Sequence, residues 1–234
     1  MIGEELLTAI RLLITGLREL NRMDGSTDFF HLPILLLALG FERMMKTVIC
    51  CYYLENTGDY PKRDVFLKGR RGHDLVHLLN QITCDCFSDA YLANIPAAKA
   101  DITFLRNDPK LSTILQILSD FGQSARYYNL NVVLNEKDPG PSPDQEWQKF
   151  ELEVLKEDST YLDRIGDPSQ RDSIHRQINM TLTIQCEKLA RALARLLTIG
   201  GLGSQAKQIS PHTHHFLFLM DDQLGKTNYE NVYI

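Results

Sequence analysis

No apolar run in this 234-residue chain is long enough to cross a bilayer. The most apolar stretch, residues 32–41, ends at Glu42 and Arg43, whereas a spanning helix needs about 20 apolar residues. Residues 1–23 carry Glu4, Glu5, Arg11, Arg18 and Glu19 along their length. That pattern reads as an amphipathic helix and not as a signal peptide. Cysteine is scarce and unpaired in pattern: there are five, an odd number, and Cys50 and Cys51 are adjacent in an apolar helix where both cannot face one partner. The reading is a reduced, cytoplasmic protein without a disulfide framework. Cys84 and Cys86 lack the two-residue gap and the second pair of a zinc site. Serine-hydrolase and Walker patterns are missing. Gly200, Gly201 and Gly203 follow a helix, where a phosphate-binding glycine motif needs a strand. Neither a metal nor a cofactor is expected. The formal net charge of −5 argues against wholesale wrapping of nucleic acid. A local basic site remains open, because association follows local potential.

What the chain does have is helical periodicity. Leu6, Ile10, Leu13, Leu17 and Leu20 recur at spacings of three and four and fall on one face. A turn over residues 23–28 precedes a longer helix from Phe29 to about Glu55, with Pro33 tolerated in its first turn. Residues 56–71 read as a loop. A third helix is expected from near Gly72 to about Phe87, and a short one around residues 97–105. Asp108 followed by Pro109 predicts a capped helix whose face is Leu111, Ile114, Leu115, Leu118 and Phe121. Ser142 with Gln145 fits a capping box opening a helix to about Arg164. Asp167, Pro168 and Gln170 repeat the signal before a long helix to Leu197, ended by glycine. Residues 131–134 read as an extended candidate, and the tail from Tyr229 onward as loose. The expected fold class is all-α: an antiparallel helical bundle of about six helices. The expected division is a bundle over residues 1–138 and a C-terminal helical extension over 139–234, packed on the same core.

Three separated segments carry ionisable residues where a plain helical core carries none. They are Phe41-Glu42-Arg43-Met44-Met45-Lys46, Gly72-His73-Asp74-Leu75 with Leu78-Leu79, and Ala125-Arg126-Tyr127. In this order they resemble the HEPN domains (higher eukaryotes and prokaryotes nucleotide-binding), over roughly residues 32–134. The resemblance implies an antiparallel helical bundle, often a homodimer. Its members either cleave RNA without metal, through an Arg-x(4–6)-His motif, or bind nucleotides or pair with nucleotidyltransferases without catalysis. A late copy of that motif is missing here. The spacing is met only by Arg70 or Arg71 with His77, at the start of the third helix. The expected function is therefore binding of nucleotide, RNA or a partner protein without strong catalysis. A metal-independent ribonuclease and a purely structural bundle stand as alternatives.

Each candidate residue has its own chemistry. Glu42 and Lys46 are four apart, so they form an ion pair on one helical face or line a polar cleft. His73 or Asp74 is expected to cap the third helix while Leu75, Leu78 and Leu79 pack inward. His73 and His77 are alternatively acid–base groups or phosphate contacts, His73 being the phosphate-binding candidate of the two. Between Lys62 and Arg71 five cations face one acid. That basic loop leads into a helix N-terminus, a setting suited to phosphate, and makes Arg70 and Arg71 phosphate candidates. Arg126 can hold a phosphate while Tyr127 stacks a base.

Overall fold

A computed structural model of the chain describes residues 1–24, 29–62, 64–67, 72–123, 125–136, 142–157, 160 and 167–232. All the regular structure among the described residues is helical, with no strand. The elements are α1 (Ile2–Arg22), α2 (His31–Thr57), α3 (Asp64–Leu67), α4 (Leu75–Asp85), α5 (Asp89–Asn94), α6 (Pro96–Asn107), α7 (Pro109–Gln123), α8 (Tyr128–Val133), α9 (Pro143–Lys156), α10 (Arg171–Ile199), α11 (Gly203–Ile209) and α12 (His214–Leu217). Among the described residues these are twelve α-helical segments, of which seven run eleven residues or longer.

α1 buries the predicted stripe: Leu6, Ile10, Leu13, Leu17 and Leu20 are all inaccessible. Its partner is α2. Gly16 of α1 lies against Leu37, Gly40 of α2 against Leu13, and Glu5 pairs with Arg43. These contacts descend along one helix as they ascend along the other, so the two are antiparallel. α2 is apolar on several sides because it is central, packing against α1, α4, α7, α10 and α11. α10 also runs antiparallel to α1, since Asn179 bonds the Met23 carbonyl at 2.9 Å and Thr183 bonds Asn21 at 3.3 Å. Its apolar residues belong to the same buried cluster as those of α1 and α2.

Local signals hold in part. Asp108 caps α7, its carboxylate accepting the Leu111 N–H at 3.0 Å, and the predicted apolar face of α7 is buried. Asp167 accepts from the Ser169 N–H at 2.9 Å, and a 3-10 turn over Pro168–Gln170 leads into α10. Ser142, in contrast, makes no capping bond to α9. The glycine expected to take the left-handed conformation after α10 is Gly201 (φ 79°); Gly200 itself stays at φ −76°. Residues 131–134 are not extended, because α8 runs through Tyr128–Val133.

The tail is not loose where it is described. Tyr229 is 2% exposed and donates its hydroxyl to the Glu187 carboxylate at 2.7 Å. Arg18 holds the Tyr229 and Val232 carbonyls, each at 3.1 Å. The tail is thus fastened to both α1 and α10. All five cysteines are free thiols. Burial pushes Cys50 up to about 11 and Cys51 and Cys86 up to about 12, so none of these three is a thiolate nucleophile near neutral pH.

Candidate functional site

The interruption at Glu42 is where α2 meets an open cleft of about 530 Å³. α2 contributes Glu42, Arg43 and Lys46, α1 contributes Glu5, Phe66 comes from α3, His73 precedes α4, and Arg126 follows α7. The volume is within the range of small-molecule sites, about 300–1,000 Å³.

Glu42 organises the cleft. It is largely buried, and its Oε1 accepts from Lys46 Nζ at 2.7 Å. Both carboxylate oxygens also face His73 Nδ1, at 3.1 and 3.0 Å. A carboxylate at Nδ1 favours the proton on that nitrogen and leaves Nε2 for other partners. Lys46 in addition sits 5.8 Å from the centre of the Phe66 ring.

His73 is held in place by its neighbour. Asp74 is the N-cap of α4 and accepts the His77 N–H at 3.0 Å. The buried Ser119 hydroxyl of α7 accepts the Leu75 N–H at 3.0 Å and donates to Asp74 at 3.3 Å. Leu75, Leu78 and Leu79 are buried beneath. Asp74 is therefore a structural cap that pins the start of α4 to α7, and His73 is carried along to the cleft rim.

Arg126 lies in the 3-10 turn Ala125–Tyr127, its guanidinium 5.0 Å from the centre of the Tyr127 ring. Among the described residues it forms no ion pair. Tyr127 is half exposed. The described lining holds three cations, Arg43, Lys46 and Arg126, against two carboxylates, Glu5 and Glu42. That is one net positive charge before His73 is counted, in a chain of net charge −5.

Four of the residues singled out in the sequence therefore converge: Glu42, Lys46, His73 and Arg126. His77 does not line this cleft; it is exposed in the first turn of α4. Arg70 and Arg71 lie outside the described residues. Arg43, Glu5 and Phe66 were not picked out from sequence. Arg43 stood beside Glu42 as a clue, but Glu5 carried none, because only the pairing of α1 with α2 brings it there. Among the described residues no group of three His, Cys, Asp or Glu side chains could hold a metal ion. Among the described residues no helix is long and apolar enough to cross a membrane. No family model, curated protein or solved structure matches the chain.

Proposed function

We propose that this chain is a HEPN-like helical protein that binds the phosphate of a nucleotide or of RNA in the cleft beside α2, without strong catalysis of its own. Convergence supports this reading: residues from all three segments that carry the resemblance line one cavity. Arg126 offers a guanidinium fork suited to phosphate oxygens. Among the described residues Arg43 is paired only with Glu5, in an exposed ion pair worth about 0–1 kcal/mol and readily exchanged for a ligand. Tyr127 does not line the cleft, but it follows Arg126 directly, is half exposed and offers a ring for a base. Arg70 and Arg71 precede His73 by three and two residues and add to the basic sequence.

The test is a titration with ATP and with a short single-stranded RNA at low and physiological salt. Arg126→Glu is expected to weaken binding at least about ten-fold, or about 1.4 kcal/mol. For RNA, loss of one phosphate contact should reduce the salt slope by about 0.7. No binding at low salt, or the same affinity in Arg126→Glu, sinks the reading.

One observation favours a second reading, a metal-independent ribonuclease. Glu42 faces His73 Nδ1 at 3.0 Å, the arrangement that orients an imidazole for acid–base work. On that reading RNA is cut in the presence of a chelator, cutting survives His77→Ala, and it is lost in His73→Ala. Absence of cleavage by the unmodified protein removes it. A partner of the nucleotidyltransferase-like class, or a second copy in a homodimer, would have a surface to cover in Leu130, Val132, Val133 and Leu134, which are exposed on and just after α8.

A further inference from the structure

The α2 cleft does not end at α1. Ile2, Glu5 and Cys50 line it and also line a larger cavity of about 900 Å³, so the two open into one another. This second cavity is a groove between the first turn of α1, the chain just after α2, and the run from α11 into the 3-10 turn Ser210–Thr213.

Local structure places its walls. Gly58 ends α2 in the left-handed conformation (φ 81°), and the Thr57 hydroxyl accepts the Asp59 N–H at 3.3 Å. That turn brings Tyr60 to the groove with 48% of its surface exposed. A Cβ at Gly203 would run into the Glu55 side chain, so α11 starts hard against the end of α2. Gln205 and Gln208 follow on α11, with Gln205 donating to Gln208 at 3.4 Å. That bond uses one N–H of the first amide and one lone pair of the second, out of the four hydrogen bonds an amide can make.

The two cavities are sorted by charge. Beside α2 the described lining carries Arg43, Lys46 and Arg126. The described lining of the groove carries neither lysine nor arginine, and the Met1 amine already lies 3.7 Å from Glu4. A phosphate has its partners in the first cavity and not in the second. The groove offers instead a phenol ring, two amides and the imidazole of His212. Aromatic rings stack bases. A glutamine amide matches the N6 and N7 edge of adenine, accepting from one and donating to the other. Glu5 stands where the cavities meet. An ionised carboxylate has about four lone-pair sites, so its pairing with Arg43 leaves capacity for the hydroxyls of a ribose.

We propose that the ligand bound beside α2 is an adenine nucleotide whose nucleoside lies in this groove, the ribose at Glu5 and the adenine against Tyr60 and the two glutamines. This rests on phosphate binding in the α2 cleft and adds the part of the ligand that the cleft does not hold. Tyr127 lines neither cavity, so in RNA it is left for a neighbouring base.

Isothermal titration calorimetry compares AMP, UMP, ribose 5-phosphate and a 5′-phosphorylated trinucleotide that begins with adenosine. AMP should bind at least about ten-fold tighter than UMP and than ribose 5-phosphate. The trinucleotide carries the same unit at a chain end, and the tighter of it and AMP names the source. Gly3 supplies a block. A Cβ there would make ordinary contact with Ile209 at 3.4 Å and His212 at 3.8 Å, so it faces the groove, and leucine in place of a helical glycine gains helix propensity. Gly3→Leu should bring AMP down to the affinity of ribose 5-phosphate. Tyr60→Ala should weaken AMP about five-fold or more; an unchanged melting temperature verifies that both variants fold. Arg126-dependent binding of ribose 5-phosphate with no gain for AMP overturns this proposal and leaves phosphate binding beside α2 standing. The same holds if AMP affinity is unchanged in both variants, or if UMP binds as tightly as AMP. Binding of none of the four probes overturns both.

Discussion

Tyr229→Ala is expected to destabilise the protein by about 3–5 kcal/mol, the range for deleting a buried aromatic side chain. Near the end of the sequence such a change would ordinarily be harmless, because chain termini are poorly ordered unless tied down. This one is tied. Tyr229 is 2% exposed, its hydroxyl bonds a fully buried Glu187, and its carbonyl is held by Arg18. The Gly225 N–H also donates to Glu187, at 2.6 Å. Thermal unfolding measures the effect: for a chain of this size the melting temperature should fall by about 10 °C. Tyr229→Phe keeps the ring and removes only the donor to the carboxylate, so a smaller loss of about 1.5–3 kcal/mol is expected. Equal stability of Tyr229→Ala and the unmodified protein would show that the tail is not fastened.

The same carboxylate leaves a pH signature. Burial pushes Glu187 above the ordinary glutamate value, against the lowering effect of its hydrogen bonds to Tyr229, Gly225 and Thr227. Between the ordinary and the raised value the native state keeps a proton that the unfolded chain has released. Stability from this group therefore falls as pH rises through that window. Asp101 is raised by burial too and acts with the same sign. Denaturant titrations across the acid range should show a shallower fall for Glu187→Gln than for the unmodified protein. An identical slope in both would exclude Glu187 as its source.

Gly40→Leu is the second large effect, expected at the upper end of the 1–3 kcal/mol cost of overpacking. A Cβ at Gly40 would stand 2.8 Å from the Leu13 side chain and 3.1 Å from the Leu13 backbone nitrogen. The side chain can rotate, but the backbone cannot move without parting α1 from α2. Replacing a helical glycine recovers only about 0.8–1 kcal/mol of intrinsic propensity. The spacing also sets the cleft, because Glu5 of α1 reaches Arg43 of α2 across this crossing. Gly40→Leu should therefore lower the unfolding midpoint and weaken ligand binding beside α2 together. Undiminished stability would mean that the two helices are not held so closely there.

How far the sequence could be read depended on the reach of the interaction concerned. The stripe of α1, the Asp108 cap and the face of α7 were legible because each depends on residues three or four apart. The convergence of Glu42, Lys46, His73 and Arg126 was half legible: the residues stood out as ionisable groups in apolar helices, but their meeting was not written in any local pattern. Local rules also misled. Ser142 has the residue type and spacing of a capping box and makes no such bond. The apolar run at 131–134 looked extended and belongs largely to α8.

The sequence by itself determined that the chain is all-helical, which helix faces are apolar, and where polar groups break them. Helix periodicity and capping are short-range, so residues within a turn or two suffice to specify them. Only the tertiary structure decided that Glu5 and Arg43 share a cleft, that the tail is buried on Glu187, and that Tyr60 and Gln208 line a groove opening into that cleft. These depend on contacts between residues tens to hundreds of positions apart, and packing of whole helices selects them.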